Sequence, residues 1–69
     1  MSMSLQLVVA RGTARGLLSG NAAADYGDVI QLRRLLLAEG DQLLAAELQL
    51  LAIARNPTPA EISAFGKAL

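Results

Sequence analysis

An all-α fold, a small helical hairpin with flanking shorter helices completed by self-association, follows from three features of the sequence. Between Asp25 and Asn56 the large apolar residues recur at three- and four-residue spacing, the period of a helix. Turn and cap residues interrupt that pattern at Ser19-Gly20-Asn21, Gly40-Asp41 and Asn56-Pro57-Thr58, giving each helix an end. At 69 residues the chain makes a single domain, and a domain of that size buries only roughly 60% of its unfolded surface. Small folds make up the deficit with disulfides, a metal or self-association. The chain has no cysteine and no histidine, and its six carboxylates do not cluster as a hard-cation loop requires, which leaves self-association.

Residues 1–4 are expected to fray. In 5–19 two patterns overlap: Leu5, Leu7 and Val9 alternate as in a strand, whereas Leu7, Ala10, Ala14 and Leu17 follow helical spacing. The longer pattern predicts a helix, closed by a left-handed Gly20 or Asn21. Gly12 and Gly16 each cost such a helix ~1 kcal/mol relative to alanine, so another backbone is expected close by. Arg11 and Arg15 lie four apart and repel on one face, which water or an acidic surface would relieve.

Asp25 or Asp28 caps the next helix, predicted over 26–39. On it Val29, Leu32 and Leu36 form one apolar stripe and Ile30 with Leu37 another, with Arg33 between them. At Gly40-Asp41 the helix either continues in a seven-residue repeat of Val29, Leu36, Leu43 and Leu50 or stops at Gly40 and restarts at Asp41. The second reading is preferred, since it gives two arms of ~18 and ~21 Å joined by a short loop. The second arm, 41–55, also has two apolar sides. Leu44, Leu48 and Leu51 with Ala45 and Ala52 suit close packing on the first arm, and Leu43, Ala46, Leu50 and Ile53 are left in need of a cover. Asn56-Pro57 ends that helix, and Thr58-Pro59-Ala60-Glu61 reads as a capping box opening a last helix over 58–69. Ile62, Phe65 and Leu69 then form a single stripe able to cover one side of the hairpin.

From Val29 to Pro57 the hairpin resembles one tetratricopeptide-type repeat. With Pro57 on the terminal proline of that pattern, Leu32, Ala45 and Ala52 fall on pattern positions and Gly40-Asp41 on the inter-helix turn. Val29 and Leu36 depart from it where large aromatics are usual, Arg33 where a small residue is usual, and Gln49 where an aromatic is. The resemblance implies a peptide- or protein-binding hairpin, with any stacked array drawn from several chains.

Six acids balance six bases, so no net field draws the chain to nucleic acid or anionic lipid. Tyr26 and Phe65 are too few for a base-stacking surface. Leu5–Ala10 is too short for a signal-peptide core, and Glu47 interrupts the most apolar run, which falls short of the ~20 residues of a membrane span. A cytoplasmic location is expected. Serines, Thr13, Thr58, Tyr26, Lys67 and scattered carboxylates show no spacing that makes a catalytic pair. The glycines at Gly12 and Gly16 lack the lysine followed by Ser or Thr of a phosphate loop.

The expectation is therefore a non-enzymatic interaction protein with no cofactor, metal or small-molecule substrate. Its partners are further copies of itself, as a homodimer or higher oligomer, and a larger protein that it inhibits or adapts. Val29, Leu36, Leu43, Ala46, Leu50 and Ile53 are the expected oligomer interface. Tyr26, Arg33, Arg34, Arg11 and Arg15 are the expected partner-binding residues. One alternative is a structural subunit of a virion or other assembly, a size common in phage and mobile-element proteins. The other is a small DNA-binding regulator built on the Thr58 helix, which has only Arg55 and Lys67 nearby and no following recognition helix.

Overall fold

The computed structural model describes residues 5–68; the expectations for residues 1–4 and Leu69 lie outside the described residues. The fold is all-helical, as expected, with α1 at Leu5–Leu18, α2 at Tyr26–Ala38, α3 at Gln42–Ala54 and α4 at Pro59–Phe65. α1 buries Leu7, Ala10, Ala14 and Leu17, the helical rather than the alternating set. It ends at Gly20, whose φ is +82°. There the amides of Gly20 and Asn21 donate to the carbonyls of Leu17 and Gly16 at 3.3 and 2.9 Å, so two of the orphan carbonyls in the last turn are used.

The same closure recurs at α2. Gly40 has φ +87°, and the amides of Gly40 and Asp41 donate to Leu37 and Leu36 at 3.1 and 2.8 Å. The chain therefore breaks at Gly40, and the continuous-helix reading is excluded. The Asp41 side chain then accepts from the amide of Leu44 at 3.3 Å and starts α3. At the far end of α3 the left-handed residue is Asn56, with φ +52°, a conformation asparagine tolerates better than most side chains. Pro57 follows it and bars a further helical turn.

α2 packs most extensively on α3, and α1 lies across both. α1 and α3 point the same way: Arg11 is bonded to Asp41 at the start of α3, and Leu18 at the end of α1 lies beside Leu50 and Leu51. Val29, Ile30, Leu36 and Leu48 are the largest fully buried side chains. Each contributes about 1.5–3 kcal/mol by leaving water. Ala10 and Ala14 of α1 and Ala45 and Ala52 of α3 are buried around them, and their small size sets the close approach of the three helices.

α4 is shorter than expected, ending at Phe65 because Gly66 turns to φ +89°. Its start matches the sequence: Thr58 accepts from the Glu61 amide at 3.1 Å, and Glu61 accepts from the Thr58 amide at 3.0 Å. The helix lies on α2, where Phe65 covers Gly27. A Cβ at position 27 would stand 2.6 Å from the Phe65 ring, so only glycine leaves room for it. Gly12 has no such neighbour within 4 Å, and a Cβ on Gly16 would meet only the Ala22 side chain at 3.6 Å. Among the described residues no backbone stands against these two glycines.

Gly27 and Gly12 should respond oppositely to the same change. Gly27→Ala should cost about 1–3 kcal/mol by forcing Phe65 from its seat, whereas Gly12→Ala should add about 1 kcal/mol of helix stability. Urea unfolding followed by circular dichroism measures both, and an unshifted midpoint for Gly27→Ala would show that Phe65 does not depend on that notch.

Candidate functional site

The outer face of α3 is a stretch of apolar surface that the described helices leave open. Leu44, Ala45, Leu48 and Ala52 occupy the inner face, and at about 100° per residue this turns Leu43, Ala46, Leu50 and Ile53 outward. Leu43 is 84% exposed and Leu50 69%. Along one edge the face meets α1, where Leu18, Glu47, Leu50 and Leu51 border a shallow depression. Along the other it runs into a cleft of about 320 Å³ lined by Tyr26, Ile53, Asn56, Pro57, Ile62, Lys67 and Ala68.

The α1 edge is charged. Arg11 donates from Nε to the Asp41 carboxylate at 2.6 Å, and Arg15, Leu43, Leu44 and Glu47 surround this pair. The Arg11 hydrogen bond, aided by the Leu44 amide, holds the Asp41 carboxyl below its ordinary value of 3.8. The acidic surface that would relieve Arg11 and Arg15 is thus partly supplied by the chain itself.

Several residues expected at a surface have other positions. Val29 and Leu36, grouped by the sequence with the oligomer interface, are fully enclosed. The Val29 and Leu36 stripe of α2 and Ile30 of the other turn inward, because α3, α1 and α4 all pack on this helix. Leu37, 42% exposed, is the exception on α2. The available interface set narrows to Leu43, Ala46, Leu50 and Ile53.

Tyr26, expected to meet a partner, is buried, and its hydroxyl donates to the Gly66 carbonyl at 2.6 Å. Arg34 donates to the Phe65 carbonyl at 2.7 Å. These two bonds receive the C-terminal carbonyls of α4, so both side chains hold α4 on α2. Arg33 is half-buried on α2, and Arg11 is held by Asp41. Of the five expected partner-binding residues, Arg15 alone combines an exposed side chain with a place on the rim of the α3 face. Arg55, named from the sequence only for the DNA-binding alternative, donates to the Ala24 carbonyl and ties the end of α3 to the segment before α2.

A second apolar surface was not anticipated. Leu5, Val8 and Val9 of α1 are 79%, 50% and 59% exposed, on the side of the helix away from its buried stripe. The signal was present as the same Leu5 and Val9 that gave the strand-like alternation. Among the described residues no group of three or more acidic, His or Cys side chains converges as a metal site would need, and no helix is long and apolar enough to cross a membrane. No protein-family model matches this chain, and no curated protein or solved structure matches it.

Because the folded Asp41 value is depressed, the pair stabilises the fold fully above 3.8, and that contribution is lost as pH falls from 3.8 through the lowered folded value. Thermal midpoints measured between neutral and strongly acid pH should fall in that window, and Asp41→Asn should remove this part of the pH dependence. Tyr26→Phe should cost about 1 kcal/mol through the lost bond to Gly66, read as a lower urea midpoint; an unchanged midpoint would mean that water replaces that bond without loss.

Proposed function

We propose that this chain is a non-enzymatic, cytoplasmic protein–protein interaction module that binds and modulates a larger protein. The observation that carries the reading is the concentration of exposed large side chains on two helix faces, Leu43, Leu50 and Ile53 on α3 and Leu5, Val8 and Val9 on α1. Apolar surface gathered in this way marks contact sites, whereas single exposed leucines do not. The polar groups support the same reading, since Tyr26, Arg34, Arg11 and Asp41 are engaged in holding helices together rather than converging on a cleft. The resemblance of 29–57 to a tetratricopeptide-type hairpin also favours protein binding.

With Tyr26 and Arg34 committed to α4, the outer face of α1 is the better seat for the larger partner. It offers three aliphatic side chains and the open Gly12, beside the cation of Arg15. A structural subunit of a larger assembly is the second reading, favoured by the presence of apolar faces on two different helices, since two sites per chain permit open-ended association. A ring or filament of defined repeat would select it.

The tagged chain, used to capture proteins from lysate of its source cells, should retain one stoichiometric partner. Val9→Glu should lose that partner while the helical circular dichroism stays unchanged. Retention undiminished by Val9→Glu, or no retained protein with the wild-type chain, would count against this reading.

A further inference from the structure

We propose that the outer face of α3 is occupied by a second copy of this chain, the two α3 helices lying antiparallel across a two-fold axis. The inference rests on the reading of the chain as a contact protein and names the occupant of one of its two faces.

Area is the first argument. Leu43, Leu50, Ile53 and Leu18, at 84%, 69%, 45% and 36% exposure, leave roughly 400 Å² of apolar side chain open per copy, as much as a contact patch on a monomer usually offers. Two such faces pressed together, with their rims, reach the roughly 1,000 Å² that a specific interface requires.

Shape is the second. α3 spans Gln42–Ala54, so its midpoint is Leu48. A two-fold axis at that level sets Leu43 of one copy against Ile53 of the other, and Leu50 against Ala46. Each large side chain then meets either an apolar neighbour or a small one that makes room for it, the alternation that lets two helices interdigitate. The face is complementary to itself in this register.

Charge selects the direction. The α1 edge of the face carries Glu47 and Arg15, and the opposite edge carries Ile53 and the cleft beyond it, whose lining includes Asn56 and Lys67. In the antiparallel arrangement the two α1 edges meet, bringing two glutamates and two arginines together with no net charge. The parallel arrangement would set Glu47 and Arg15 of each copy against the opposite edge and so remove the charge pairing between the two α1 edges. Opposed helix dipoles favour the antiparallel pair as well.

The test uses the full chain. Light scattering at micromolar concentration should give a dimer, and Leu50→Glu, at a position too exposed to matter for the monomer fold, should weaken it at least ~100-fold, as loss of a central interface residue does. Because the chain has no cysteine, Ala46→Cys and Leu50→Cys variants mixed and oxidised should form the crossed 46–50 disulfide in preference to either like pair. A monomeric wild-type chain, or a dimer unaffected by Leu50→Glu, would overturn the proposal. So would a monomer whose captured protein is lost with Leu50→Glu, which would give the face to that other protein and leave the contact function standing. A dimer that captures nothing would uphold this proposal and remove the larger partner instead.

Discussion

Asp41 closes one helix, opens the next and holds a third. Its amide satisfies a carbonyl of α2, its carboxylate accepts the Leu44 amide of α3, and Arg11 of α1 reaches the same carboxylate. A chain this short has few long-range anchors, so fixing three helix directions at a single residue restricts the ways they can assemble. The glycine before it is what makes this possible, because only a left-handed residue can turn the chain back within so few atoms. The packing of Leu36 against α3 then follows from geometry already set by the turn.

The other end of the molecule is held differently. Phe65 takes the notch at Gly27, and the exposed carbonyls at the end of α4 are received by Tyr26 and Arg34. A seven-residue helix is too short to be stable by itself. It persists because its capping box fixes the start and α2 side chains satisfy its end. Directing α4 to α2 has a consequence for α3: with one edge against α1 and its inner face on α2, α3 receives no third helix on its outer side among the described residues. The openness of Leu43 and Leu50 is thus a result of where α4 goes.

These arrangements also explain why Tyr26, Phe65, Arg11 and Arg34, which look like recognition groups, hold helices together instead. In a chain with one tyrosine and one phenylalanine, both are used to seat α4. The large apolar side chains that remain exposed are aliphatic and lie mostly on α1 and α3. Where such surfaces form contacts, most of the energy comes from area and fit, with rim charges setting orientation.

By itself the sequence determined whatever depends on neighbours along the chain. The period of the α1 and α3 stripes, the left-handed stop at Gly40, the caps at Asp41 and Thr58 and the two apolar sides of α3 all follow from local spacing and backbone preference; that Asp25 rather than Asp28 caps α2, and that the outer side of α3 stays bare, do not. Both stripes of α2 were equally visible, but local pattern does not say how many neighbours a helix will have. Only the tertiary structure decided that α2 is enclosed on two sides, which removes Val29 and Leu36 from the surface. It also decided that Tyr26 points at Gly66 and Arg34 at Phe65, because those partners stand forty and thirty-one residues away. Side-chain roles set by such distant contacts exist only once the helices have been placed, and no spacing in the sequence encodes them.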